Sequence, residues 1–285
     1  MINYIVISPV RDEEQYIEYT IKSMISQTIK PSLWVIVNDG SKDNTEKIIA
    51  EYARKVSWIQ VSNRIDRGWR ERGAGVVEAF HLGMKCVESY RYDFIVKLDG
   101  DLSFDDDYFE KILSKFLEDP KLGIAGGVCY EKKGRRLVID RHPMFHVRGA
   151  SKVYRSQCFK AIGGLRPVFG WDSIDEIKAN MLGWTTRSFP EIKIIHHRGT
   201  GSTSKFMQVD AGKGSYFLGY HPAFNLVKSI LWIPKKPFLF GALAYLYGFI
   251  EGYIWNRPRI EDHELVEYVR RQQKNKLFFR ETIWK

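Results

Sequence analysis

Two aspartates separated by a single glycine, Asp99 and Asp101, are the residues of this chain that most directly indicate chemistry. They follow the apolar run Phe94–Leu98, which predicts a buried strand, so both carboxylates should lie at a strand end. Carboxylate oxygens at this spacing suit a hard divalent cation, and Mg²⁺ or Mn²⁺ keeps open positions for substrate phosphates. The same spacing occurs in ordinary turns, so a metal site is indicated only if other elements bring polar groups to the same place.

Two further polar clusters also follow predicted strands. Arg11–Glu14 comes after Tyr4–Pro9, and Asn38–Ser41 ends the apolar run that begins at Leu33. Helical spacing of apolar residues predicts helices over 13–27, 46–53, 76–90 and 106–117. Strands alternating with helices indicate an α/β fold with a mixed, mostly parallel sheet flanked by helices. Ligands bind beyond the carboxyl ends of strands in such sheets, so the three clusters should meet in one crevice.

Length and composition restrict the class of protein. The chain has 285 residues, of which 44% are hydrophobic and 27% charged, an ordinary globular balance that excludes wholesale disorder and a multi-spanning membrane protein. Its three cysteines are isolated, so neither a disulfide framework nor a zinc-binding spacing is indicated. The first residues lack the pattern of a secretory signal, and we therefore expect a cytoplasmic location.

The chain is basic, with 44 Lys and Arg against 34 Asp and Glu and a formal net charge of +10. Such an excess is typical of proteins that meet nucleic acid, an anionic membrane surface or phosphorylated ligands, although scattered surface Lys and Arg contribute to it as well. Acidic loops at strand ends would repel nucleic-acid phosphates unless a metal intervenes. We therefore expect no nucleic-acid partner.

A change of character near the C-terminus predicts two domains, a catalytic domain over 1–225 and a helical extension over 226–285. Residues 230–255 are the most apolar stretch, but two lysines, two prolines and Glu251 interrupt it. It therefore falls short of the roughly 20 apolar residues that a spanning helix needs. Two interpretations stay open: a helix that lies in the interface, with peripheral contact at the inner face of the membrane, or a helix pair packed on the core.

The ordered set of motifs resembles the family 2 glycosyltransferases with the GT-A fold, the Rossmann-like fold of nucleotide-diphospho-sugar transferases. The resemblance covers roughly residues 3 to 200. It depends on the following segments: Pro9 with Asp12–Glu14, Asn38–Ser41 with Thr45, Lys97–Leu102, Gly163–Gly164 and the acidic segment Gly170–Lys178. It implies transfer of a sugar, by a hexosyltransferase, from a UDP- or GDP-sugar to a hydroxyl of a glycan or lipid-linked acceptor.

The resemblance also implies roles for the donor-side residues. Asp39 resembles the aspartate that contacts the nucleobase, and Glu13 or Glu14 the acidic residue near the base and ribose. Asp101, supported by Asp99, resembles the ligand of a Mn²⁺ or Mg²⁺ cofactor that holds the donor diphosphate. The remaining donor-binding candidates are Pro9, Arg11, Arg70 and Arg72. The arginines are candidates because an arginine can pair with phosphate through two hydrogen bonds.

The later motifs imply the acceptor-side chemistry. Asp172, or Asp175 one helical turn further on, resembles the general base that removes the acceptor proton in an inverting transfer. His196 or His197 resembles a histidine that binds the metal or the phosphate.

The alternative enzyme is a sugar-phosphate nucleotidyltransferase. Such proteins begin with a glycine-rich loop, whereas this chain has Ser8–Glu14 at that place.

Overall fold

The computed structural model describes residues 2–68, 73–133, 136–168, 170–198, 207–234 and 238–284. The chain divides into two compact units, Met1–Thr200 and Gly201–Lys285. The predicted division into catalytic domain and extension, after residue 225, lies within helix Pro222–Trp232 of the second unit, and as a functional boundary it stays a prediction.

The described part of the first unit consists of strands and helices that alternate over most of its length. The strands are β1 (Tyr4–Val10), β2 (Leu33–Asn38), β3 (Ile59–Asn63), β4 (Phe94–Leu98), β5 (Leu102–Phe104), β6 (Leu122–Lys133), β7 (Arg136–Ile139), β8 (Ser151–Arg155) and β9 (Thr185–His196). The helices are α1 (Ile17–Ser26), α2 (Thr45–Lys55), α3 (Ala74–Cys86), α4 (Tyr108–Glu118), α5 (Ser156–Ala161) and α6 (Trp171–Met181).

All of these strands belong to one mixed sheet in the order β3-β2-β1-β4-β8-β6-β9-β5, and β7 pairs with β6. The strands from β3 to β4 are parallel, so the chain segments that follow β1, β2 and β4 leave the sheet at the same edge. Strand direction reverses between β4 and β8, where Leu98 pairs with Ser151. The predicted α/β class with a mixed sheet flanked by helices is confirmed.

Alternation along the buried strands creates two cores, one on each face of the sheet. Tyr4 and Val6 of β1 contribute to one core, and Ile5 and Ile7 contribute to the other. Helices α1, α2 and α4 cover the first face, whereas α3, α5 and α6 cover the second. A three-layer arrangement of this kind holds the strand ends rigidly, which is what a site built on the following loops requires.

The second unit is helical in its described residues. Its helices are α7 (Met207–Phe217), α8 (Pro222–Trp232), α9 (Leu239–Ile254) and α10 (His263–Leu277). Among the described residues, none of the helices combines the length and the apolar character needed to cross a bilayer. Helix α9, the longest, has 16 residues and packs against α7 and α8.

Candidate active site

The loop after β1 is joined to the loop after β2 by buried polar contacts. Pro9 pairs with Val37 at a position beyond the β1–β4 ladder, so its missing N–H leaves no gap there. Arg11 is buried, and its guanidinium donates to the Asp39 carbonyl (2.8 Å) and to Asp66 Oδ1 (2.7 Å). The predicted donor-binding residues Pro9, Arg11 and Asp39 therefore lie side by side.

Two arginines that follow β3 hold the carboxylate of Asp39. Arg64 Nη1 lies 3.2 Å from Asp39 Oδ1, and Arg67 Nη2 lies 3.2 Å from Asp39 Oδ2. Both arginines also contact Glu78 Oε2, at 2.7 and 2.8 Å. We did not predict this cluster from the sequence, although the two arginines within the short run Arg64–Arg67 indicated that acidic partners lie nearby. The predicted Arg70 and Arg72 lie outside the described residues.

The aspartate pair follows β4 through a turn that requires glycine. A Cβ on Gly100 would lie 2.8 Å from a methyl carbon of Val10, so a side chain there would separate the turn from β1. Asp99 receives a hydrogen bond from the ammonium of Lys97, which also donates to the Gly149 carbonyl at 2.6 Å. Lys97 therefore neutralises one of the two carboxylates.

Asp101 is the buried member of the pair, and the end of β9 approaches it. His196 Nε2 lies 3.1 Å from Asp101 Oδ2, and Arg198 Nε lies 3.6 Å from the same oxygen. Burial would raise the pKa of Asp101, but the hydrogen bond from His196 and the charges of His196 and Arg198 hold it below its usual value. Against the effect of burial, Asp101 raises the pKa of His196. Each group therefore favours the charged form of the other.

Arg198 connects the aspartate pair to the first loop. Its guanidinium donates to the Glu13 carboxylate and, at 2.9 Å, to the Asp12 carbonyl. Asp12 has a φ of 54°, an uncommon conformation for a residue other than glycine. Glu14 instead bonds to Asn44 at the start of α2 (2.9 Å). Glu13, and not Glu14, is therefore linked to Asp101 through Arg198.

His197 lies in a different environment from His196. Its Nε2 is 2.8 Å from Ser103 Oγ, and its ring stacks on Tyr19 with the centroids 4.3 Å apart. Burial lowers its pKa, so the ring tends to be neutral. The structure thus brings His196 to the Asp101 carboxylate and places His197 against α1.

Helix α6 carries the two candidate bases, and they differ in burial. Asp172 is partly exposed in the first turn, beside Gly149, where a Cβ would lie 3.3 Å from Asp172 Cβ. Asp175 is buried, and Lys152 Nζ contacts both of its oxygens at 2.9 and 3.0 Å. Burial raises the pKa of Asp175 to about 6, and the charge of Glu176 adds to the shift while Lys152 opposes it.

Lys152 is a second site residue that sequence reasoning missed. It is fully buried, and its ammonium donates to the Asp172 carbonyl at 2.5 Å and contacts Glu176 Oε1 at 2.8 Å. Lysine inside an apolar strand, as at Lys97 and Lys152, was the available signal because a buried charge requires partners. Lys152 fixes the start of α6 through these contacts.

The residues present fit a Mg²⁺ or Mn²⁺ ion that is completed by substrate. Asp101 Oδ1 and His196 Nδ1 are buried and have no hydrogen-bond partner, a costly condition for polar atoms that a cation could relieve. In the part of the chain that the structure describes, no group of three or more His, Cys, Asp or Glu forms a ready-made metal site. Mg²⁺ commonly uses one or two carboxylates together with substrate phosphates, which suits Asp101.

Solved structures share this fold. TarS from Staphylococcus aureus in complex with UDP-GlcNAc superposes with a TM-score of 0.57 and 14% identity, covering 98% of this chain and 93% of that chain. A mannosyltransferase from Pyrobaculum calidifontis in complex with GDP-Man and Mn²⁺ gives a TM-score of 0.56 and 16% identity, covering 88% of this chain and 73% of that one. At such identities the likeness shows the GT-A fold alone.

Sequence comparisons identify the family. A poly-β-1,6-N-acetyl-D-glucosamine synthase from Staphylococcus epidermidis is 29% identical over 116 residues, which are 41% of this chain. The matched segment spans about a quarter (26%) of that relative. Residues 5–169, more than half of the chain, match the family model described as Glycosyl transferase family 2. The nucleotidyltransferase alternative is not favoured, the predicted enzyme class is confirmed, and the chain belongs to glycosyl transferase family 2.

Proposed function

We propose that the chain transfers a hexose, with inversion, from a UDP- or GDP-sugar to a hydroxyl of a glycan or lipid-linked acceptor, using Mn²⁺ or Mg²⁺. The observation that carries this is the convergence of Asp39, Glu13 and Asp101 from three separate loops through Arg11 and Arg198. A nucleotide and its diphosphate would occupy this edge of the sheet. The UDP-GlcNAc and GDP-Man complexes of the structural neighbours support a nucleotide-sugar donor.

The Asp39 end of the crevice suits a nucleobase. A carboxylate accepts hydrogen bonds from the ring N–H groups that uracil and guanine both present, so Asp39 accommodates either base. Arg64 and Arg67 lie within 3.2 Å of its oxygens and supply donors for base carbonyls or phosphate. Arg70 and Arg72 stay predicted donor-binding residues.

The Asp101 end suits the diphosphate. Asp101, with Asp99 in support, would hold the cation through its unpartnered Oδ1, and His196 is favoured over His197 by its contact with Asp101. When bound, the cation supplies positive charge for the departing diphosphate. Arg198 adds positive charge from the protein side.

The environment of α6 favours Asp172 as the base. A general base must reach the acceptor hydroxyl and accept its proton, which suits a partly exposed carboxylate beside Gly149. Asp175 is enclosed with Lys152 and Tyr154, so its carboxylate is already engaged. A lipid-linked acceptor would be reached at a membrane surface, and a location at the inner face of the membrane is part of this proposal.

The metal assignment is tested by the variant Asp101→Asn. Nucleotide release from UDP-GlcNAc and from GDP-Man is measured with increasing Mn²⁺, in the presence of candidate glycan acceptors. We expect at least about a 100-fold loss of metal-stimulated release, because the amide keeps the shape but removes the ligand charge. Asp106→Asn, an exposed aspartate outside the crevice, is the matched control and should behave as wild type. Full metal stimulation in Asp101→Asn would refute the assignment.

A further inference from the structure

Helix α8 has its polarity reversed relative to a helix that faces water. Its buried positions are Asn225 and Ser229. Its exposed positions include the aliphatic residues Leu226, Val227, Ile230 and Leu231. A helix on an aqueous surface buries its aliphatic residues and exposes its polar ones. The exposed face of α8 would therefore be more stable against an apolar surface than in water.

Helix α9 presents a second apolar stripe. Five of its exposed residues recur at intervals of three and four and so share one face: Phe240, Leu243, Tyr247, Ile250 and Ile254. Glu251 is the one charged residue of the helix, and it is buried against Arg257 and Lys213. The opposite face of α9 packs on α7. Helix α9 is therefore apolar on its covered and on its uncovered face, a pattern typical of a helix that is buried on all sides.

The packing of α9 on α7 also resembles that of helices in lipid. A Cβ on Gly248 would lie 2.1 Å from the Val209 carbonyl oxygen, and one on Gly212 would lie 2.1 Å from the Tyr245 carbonyl oxygen. The two backbones are therefore in direct contact. Where lipid replaces water, helices associate through such small residues and through polar side chains between them, and they keep their large apolar residues for the outside. Ser215, Tyr245 and Asn225 form such a buried polar chain.

Basic and aromatic residues next to these faces indicate which apolar surface covers them. Exposed Trp255 follows the α9 stripe, and the exposed Arg257 and Arg259 come directly after it. Aromatic rings anchor at the level of lipid headgroups, and arginine is attracted to anionic lipid.

We propose that the exposed faces of α8 and α9, which we name the α8–α9 face, insert into one leaflet of an anionic bilayer without crossing it. A helix of 16 residues is about 24 Å long, too short to cross the roughly 30 Å hydrocarbon core. The polar face of α8 and the glycine face of α9 stay within the protein. This inference does not rest on the proposed transfer reaction.

The test is flotation of the full chain with vesicles, without donor or metal. One set of vesicles is pure phosphatidylcholine, and the other contains three parts phosphatidylcholine to one part phosphatidylglycerol. We expect the wild type to float with both sets and to partition more strongly with the anionic set. A wild type that stays in the dense fraction with both sets overturns the proposal.

A matched pair of leucines separates membrane insertion from a general effect of added charge. Leu231 on α8 is 66% exposed, and Leu117 on α4 of the first unit is 65% exposed. Leu231→Asp should reduce partition at least tenfold, because an aspartate is costly in the apolar layer, whereas Leu117→Asp should leave it unchanged. Equal partition of the two variants would contradict the assignment of the face. Circular dichroism confirms that both are folded.

The charge and the alternative occupant are tested in the same assay. The double variant Arg257→Gln with Arg259→Gln should lose about fivefold or more on anionic vesicles and little on neutral ones. A second copy of the chain could also cover an apolar face. If ultracentrifugation shows a lipid-free dimer that Leu231→Asp dissociates, and vesicles do not recruit the wild type, the face is a contact between copies and the proposal is wrong.

Discussion

Asp172 and Asp175 lie one helical turn apart on α6, yet their surroundings prepare them for different tasks. The first is partly exposed, and the second is held by Lys152 and by the hydroxyl of Tyr154 at 2.5 Å. Removing one partner of a buried ion pair leaves an uncompensated charge, which is strongly destabilising. The same substitution at the two positions should therefore affect different properties.

At the residue scale we expect Asp172→Asn to fold normally and to bind donor while losing turnover at least about 100-fold, the range of lost general-base catalysis. Donor binding is measured by calorimetry with the nucleoside diphosphate, and turnover by nucleotide release. Near-normal turnover in Asp172→Asn would exclude it as the base.

The matched variant Asp175→Asn should instead lower the free energy of unfolding by about 3 kcal/mol, because Lys152 loses a charged partner. Urea unfolding followed by circular dichroism measures the change. If Asp175→Asn has wild-type stability and no turnover, the catalytic role belongs to Asp175.

Single residues were predictable from sequence where a motif marked them. Asp39, Asp99 and Asp101 follow apolar strands, and the structure places all three at the predicted edge of the sheet. The ion pairs of Lys152 were not predictable, because a contact across 23 residues depends on how α6 returns to β8. The choice between His196 and His197 likewise needed the strand register at Leu102.

At the scale of elements, the close approach of α7 and α9 depends on glycine. Gly248→Leu should lower the free energy of unfolding by about 3 kcal/mol, since the added side chain must displace the Val209 backbone. Leucine is the better helix former, so helix propensity would act in the opposite direction. Urea unfolding measures the change. Ala244→Leu, at a partly exposed position of the same helix, should leave stability almost unchanged.

Periodicity predicted the elements of the first unit well, because each buried strand and amphipathic helix there has an obvious apolar face. The predicted helix 76–90 is α3, which begins at Ala74 and ends at Cys86. In residues 230–255 the apolar residues are so dense that no face stands out. Gly248 and Gly252 determine which side of α9 is buried, because a side chain at either position would collide with α7. This steric effect produces no periodic pattern of apolar residues in the sequence.

At the scale of the whole molecule, nucleotide binding should stabilise the fold. We expect UDP or GDP with Mn²⁺, at about 100 times its dissociation constant, to add about 2.7 kcal/mol to the free energy of unfolding. Thermal unfolding in a panel of nucleotides, with and without Mn²⁺, measures this and identifies the base. CDP serves as the comparison ligand, because it keeps the diphosphate while its base lacks a ring N–H donor for the carboxylate. A response to CDP equal to the responses to UDP and GDP would contradict a base site at Asp39.

The reversal of strand direction between β4 and β8 also bears on how such a chain can diverge. Under the proposed function, Asp39 and Asp101 precede the reversal in the sequence, and Asp172 follows it. Apart from His196 and Arg198, the two halves of the reaction are thus encoded in consecutive stretches. A single recombination event after Leu102 would keep Asp39 and Asp101 and exchange Asp172 together with His196 and Arg198, so the incoming stretch would have to bring a histidine and an arginine that fit Asp101.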